Sequence, residues 1–127
     1  MGLRLSFLAA VLLALIASVP AGAQESGAAI RLTVGAAKTI TLQENPSTGF
    51  KWRINTAQSS NLAAVQIDDM GYAPGPGDAP GSPGVHRWRI GAKAPGLAQL
   101  VFEYARPWEQ VAPARRHTVR VKIARSR

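Results

Sequence analysis

The sequence predicts an all-β protein, a single-domain immunoglobulin-like antiparallel β-sandwich, on three observations. Apolar residues recur with period two along nearly the whole chain after residue 24, the spacing that sets one face of a strand against a core. Segments rich in Gly, Pro and Asn separate seven such runs within about 100 residues, the density of turn signals expected of a sandwich. No window carries a helical period and no internal repeat is visible. A small antiparallel barrel is the alternative closure of the same strands.

In the first strand Ile30, Leu32 and Val34 alternate with Arg31 and Thr33, and in the second Ile40 and Leu42 alternate with Thr39 and Thr41. The third sets Phe50, Trp52 and Ile54 against Lys51 and Arg53, and a weaker fourth run covers Ala64 to Ile67. The fifth alternates His86, Trp88 and Ile90 with Arg87 and Arg89. Ala98, Leu100, Phe102 and Tyr104 share one face of the sixth, and Val119, Val121 and Ile123 one face of the seventh. Each apolar set packs inward while its neighbours face water. Trp52 and Trp88 lie in phase with the inward sets and are assigned to the core.

The first 23 residues are read as a secretory signal peptide. A basic start at Arg4 precedes an apolar run from Leu5 to Val19, and Ala21-Gly22-Ala23 supplies the small-residue cleavage pattern. That run is 15 residues long, short of a spanning helix. Cleavage after Ala23 leaves 104 residues, 24–127, enough for one domain with its own core. The chain holds no cysteine, so packing alone must stabilise it, and thiol nucleophiles, thiolate metal sites and a lipid-modified cysteine are excluded. Its formal charge is +8, or +7 without Arg4. The cations alternate with apolar residues along the strands, which marks a solvated sheet face rather than a nucleic-acid surface.

Up-and-down strand order places the second-to-third, fourth-to-fifth and sixth-to-seventh connections at one end of the sandwich. These three carry unusual residues: ENPSTG (44–49), GYAPGPGDAPGSPG (71–84) and ARPWEQVAPA (105–114). Antibody variable domains gather their binding loops by the same logic. Asn, Pro and Gly in the first loop also suit a plain tight turn. The second loop cannot be helix or strand, and Ala73 to Ala79 is expected to be mobile, with Gly81-Ser82-Pro83-Gly84 better ordered. Trp108 falls beyond the phase of the sixth strand and past Pro107, so it is either a lid on the sandwich end or a binding anchor; Trp and Arg dominate binding hot spots.

No catalytic or metal-binding pattern is present. His86 and His117 are read as ordinary strand residues, the acidic residues form no catalytic pair, and Ser47 lacks a nucleophile frame or a base. No cofactor is expected, and the chain is not read as an enzyme.

NPSTGF-x-W in the first loop, G-x-P-G in the second and RPWE in the third resemble, in order and spacing, the signature loops of the chagasin-type inhibitors of papain-like cysteine proteases. The likeness spans essentially all of the chain after residue 23. It implies an immunoglobulin-like sandwich that binds reversibly and non-covalently, with three loops wedged into the protease cleft. By that resemblance Asn45, Pro46, Ser47, Thr48, Gly49 and Phe50 meet the catalytic Cys/His pair, and Gly81, Ser82, Pro83 and Gly84 touch one side of the cleft. Arg106, Pro107, Trp108 and Glu109 touch the other, with Trp108 on aromatic surface near the catalytic histidine. Ser47 stands where the family commonly has Thr, which keeps the hydroxyl. Pro83 stands in a G-x-G-G position and removes a donor N–H.

A rigid loop fills such a cleft without presenting a scissile carbonyl in attack geometry. The expected partner is a papain-like cysteine protease, with no nucleic acid, no stable membrane insertion after leader removal, and a monomeric, periplasmic or secreted state. Two other classes compete: an exported immunoglobulin-like module that recognises a cell-surface protein or polysaccharide, and a basic envelope protein whose binding collapses with salt.

Overall fold

Each period-two run carries a β-strand. The computed structural model describes Gly2, residues 23–77 and residues 81–126. Its strands are β1 (Gln24–Thr33), β2 (Ala37–Glu44), β3 (Lys51–Ile54), β4 (Val65–Ala73), β5 (Gly84–Ala92), β6 (Gly96–Ala105) and β7 (Arg115–Ala124). Single 3₁₀ turns occupy Pro46–Thr48 and Leu62–Ala64. The strands form two sheets, ordered β1-β7-β6-β3 and β2-β5-β4.

The predicted sandwich is present, with one correction to its wholly antiparallel pairing. Strands that alternate up and down pair antiparallel when one is odd and the other even in chain order. The pairs β2–β5, β4–β5, β3–β6 and β6–β7 obey this. The first and seventh strands are both odd, so their pairing at the sheet edge is parallel, with Ile30 opposite Val121.

The core lies between the sheets. Trp88 of β5 and Phe102 of β6 meet across it with ring centroids 4.8 Å apart and planes tilted by 58°. Ile90, Leu100, Val119 and Val121 fill the space around them and are fully buried. Trp52 is buried as its phase predicts. On the outer face of β6, Glu103 is buried as well; Asn55 Nδ2 donates to it at 2.9 Å, and Arg53 and Arg116 each lie 3.5 Å from its carboxylate. A buried carboxylate is tolerable there because its charge and lone pairs are matched.

Strand ends depart from the sequence reading in several places. β1 begins at Gln24, six residues before the alternation of Ile30, because pairing with β7 supplies hydrogen bonds without requiring inward apolar side chains. Phe50 precedes β3 and is half-buried beneath the loop, and Ala64 closes a 3₁₀ turn before β4 starts. Gly71, Tyr72 and Ala73, assigned to the loop, are strand: a bulge between Asp69 and Gly71, with Gly71 at φ 80°, inserts Met70 and lets β4 continue. Gly84 likewise opens β5. The expected signal peptide falls almost wholly outside the described residues, as do residues 78 and 79 of the expected mobile stretch. Among the described residues no helix is long and apolar enough to cross a membrane.

Candidate functional site

The first loop owes its shape to local backbone chemistry. Pro46 starts a 3₁₀ turn in which the Gly49 N–H donates to the Pro46 carbonyl at 2.9 Å. Gly49 ends it at φ 82°, a left-handed conformation open to glycine and costly for other residues. Asn45 is the hub. Its carbonyl accepts the Thr48 hydroxyl at 2.7 Å, and its Oδ1 accepts the Ser47 hydroxyl at 2.6 Å. The Ser47 hydroxyl thus donates to an amide oxygen, which is not a base.

The three loops are bonded to one another. Asn45 Nδ2 donates to the Gly81 carbonyl at 2.9 Å, which joins the first loop to the second. Arg106 Nε donates to the Thr48 carbonyl at 3.0 Å, which joins the first to the third. The Arg106 guanidinium also lies 4.4 Å from the centre of the Phe50 ring and pairs with Glu109 at 2.9 Å. Glu109 N–H donates back to the Arg106 carbonyl at 3.1 Å, so Arg106-Pro107-Trp108-Glu109 is a closed turn. That turn lays the Trp108 ring on Gly49, where a Cβ would collide with it.

Each predicted contact residue therefore has a definite place. Ser47, Thr48, Gly81, Pro83, Pro107 and Trp108 are exposed, and Trp108 leaves 69% of its surface to solvent. Asn45, Pro46, Gly49, Ser82, Arg106 and Glu109 are half-buried among the loop contacts. Phe50 sits below them and stacks on Tyr104, with centroids 5.3 Å apart and planes 25° from parallel. Gly84 is buried in β5, where a Cβ would strike the Ala73 carbonyl and the Tyr72 ring. Phe50 and Gly84 support the loops from beneath.

Two residues at this end escaped the sequence reading. The Tyr104 hydroxyl accepts the Asn45 N–H at 3.0 Å, and its ring packs 4.9 Å from Trp52. The Glu44 carboxylate is buried and accepts the Trp52 N–H at 2.7 Å, tying the two flanks of the first loop together. Trp52 Nε1 adds a bond to the Gln43 carbonyl at 2.8 Å. The signal for Glu44 was its phase: it continues the inward set Ile40, Leu42, where a carboxylate must have a built partner. Tyr104 was seen as inward, but the use of its hydroxyl at a strand end was not.

The loop end is thus a preformed wedge of three short segments with an exposed indole at its side. An open trough of about 570 Å³ lies elsewhere, on the outer face of the β1-β7-β6-β3 sheet along Gly27, Ala28, Ala29 and Arg120.

Comparison with known proteins agrees with this geometry. Residues 31–123 match the family described as chagasin family peptidase inhibitor I42. Chagasin of Trypanosoma cruzi is 31% identical over 85 residues, which cover 65% of this chain and 76% of that protein. Among solved structures, the cysteine protease inhibitor EhICP2 of Entamoeba histolytica superposes with a TM-score of 0.64 at 23% identity, covering 81% of this chain and 96% of its own. PbICP-C, solved in complex with falcipain-2, gives a TM-score of 0.58 at 18% identity over 85% of this chain and 94% of its own.

Proposed function

The chain belongs to the chagasin family of peptidase inhibitors, and we propose that it is a reversible, non-covalent inhibitor of papain-like cysteine proteases. The observation that carries this reading is the fastening of all three loops at one end of the sandwich, beside an exposed Trp108. In the proposed mode Pro46 to Gly49 enter the cleft at the nucleophile, Gly81 to Pro83 line one wall, and Arg106 to Glu109 line the other. The first loop is held in a 3₁₀ turn, whereas a substrate must lie extended for its carbonyl to be attacked. The cleft is filled and no bond is positioned for cleavage. The cysteine protease inhibitor EhICP2 and the falcipain-2-bound PbICP-C support the partner class through their shared fold.

Titration against papain and trypsin tests the reading. Papain activity is expected to fall stoichiometrically and to recover on dilution, with trypsin untouched. Full papain activity, together with that of several cathepsin-type enzymes, in excess protein would refute it. Export is part of the proposal, on the strength of the basic, apolar and Ala-Gly-Ala segments of residues 1–23. The exported chain should start at Gln24 by intact-mass measurement; recovery of the full-length chain in the membrane would refute that part.

A further inference from the structure

His86 stands between two carboxylates. Its Nδ1 lies 3.1 Å from Glu44 Oε2, and its Nε2 lies 2.5 Å from Asp69 Oδ1. The ring is stacked on Trp88 at 4.0 Å with planes 6° apart. Each carboxylate has a second bond into a loop root. Glu44 Oε1 accepts the Trp52 N–H at the base of the first loop, and Asp69 Oδ1 accepts the Gly71 N–H at 2.8 Å, at the bulge that leads to the second. Among the described residues, the titratable and charged groups facing His86 are Glu44 from β2, and Asp69 and the Tyr72 phenol from β4, with Leu42 and Trp88 beside it.

We propose that His86 is a positioning residue that fastens the roots of the first and second loops to each other through Glu44 and Asp69, and that deprotonation of its ring releases the second root. The inference rests on the reading of these loops as the protease-binding edge. Ionised carboxylates only accept, so both contacts are satisfied only when both ring nitrogens donate, that is, by the imidazolium. A neutral ring donates once. The buried Glu44 has little other recourse and keeps that donor, whereas Asp69, with 60% of its side chain exposed, turns to water. Asp69 is held below the usual carboxylate range: partial burial works against this, but the bonds from His86 and Gly71 and the His86 charge outweigh it.

The experiment has two arms. In ¹⁵N NMR of the free protein, with spectra recorded at pH 5.5 and 8.0, loss of a ring proton from His86 should leave the Nδ1–H tautomer facing Glu44. The Gly71 amide should titrate with it while the Trp52 amide stays fixed. In the second arm, papain inhibition is measured at both pH values for the wild type, His86→Gln and His86→Phe. The wild type should lose about tenfold in affinity beyond the change shown by His86→Phe, roughly what one charge-assisted hydrogen bond is worth. A Gly71 amide indifferent to the His86 titration, or identical pH profiles for folded wild type and variants, would overturn the proposal. If papain is unaffected at either pH, the inhibitor reading fails and the NMR arm decides the relay alone. That arm uses the unaltered chain, so a variant that does not fold leaves it intact.

Discussion

Trp108→Ala separates binding from folding, because the structure splits the surface of this side chain unequally. A Trp can bury up to about 250 Å². With 69% of Trp108 exposed, docking would remove about 170 Å² from water, worth about 4 kcal/mol at 25 cal/mol per Å². Ordering the side chain takes back about 1 kcal/mol. The variant should therefore inhibit papain about 150-fold less well, a loss of about 3 kcal/mol. The covered part lies on Gly49 and amounts to about 80 Å², so the fold loses at most about 2 kcal/mol, an upper bound set by the extended-chain reference. Trp88, with 2% exposed, and Trp52, with 8%, reverse the balance: truncating either should cost about 3–5 kcal/mol of stability. Inhibition constants and urea unfolding, measured side by side for the three alanine variants, check this. A Trp108→Ala protein that unfolds as early as Trp88→Ala, yet inhibits normally while folded, would make Trp108 a lid and refute the reasoning.

Gly49→Ala should cost about 1–2 kcal/mol of stability for its left-handed backbone and should also weaken inhibition, since the new methyl displaces the Trp108 ring; a stability loss with an unchanged inhibition constant would contradict this. Tyr104→Phe keeps the ring stacks but strands the half-buried Asn45 N–H, for an expected loss of about 1 kcal/mol in urea unfolding. Burial lowers the pKa of His117 below its ordinary value of 6.5. Its contribution to stability is therefore complete above about pH 6.5 and is lost as pH falls through the lowered folded value. His117→Gln should accordingly gain on the wild type between pH 7.5 and about pH 5 in the same assay, and a constant difference would refute the assignment.

Where the chain repeats a simple period, the sequence already contains the fold. Trp52, Trp88, Leu100 and Phe102 are buried in the phase that alternation assigns them. Strand order gathers the first, second and third loops because direction alternates along the chain. The hidden features are those that a period does not encode. Parallel pairing of β1 and β7 depends on which strands become neighbours, a property of the closed sandwich. The Met70 bulge breaks the period of β4 and makes strand residues look like loop. Glu44 and His86 read as a loop flank and an ordinary strand position, because their partners lie 8 and 42 residues away in the chain.

These hidden contacts decide whether the legible loops are able to bind tightly. A nanomolar complex has about 12 kcal/mol of binding free energy. Ordering the six residues of NPSTGF at the moment of binding would cost about 1–2 kcal/mol for each backbone, roughly half of that free energy or all of it. The 3₁₀ turn, the Tyr104 hydroxyl under Asn45, and the Gly81 and Arg106 bridges fix these residues during folding instead, where the core supplies the driving force. Tyr104 and Glu44 lie beneath the exposed edge and hold the first loop in shape from below. In the proposed mode a protease meets only segments that the core has already made rigid, and on that account three short loops would suffice.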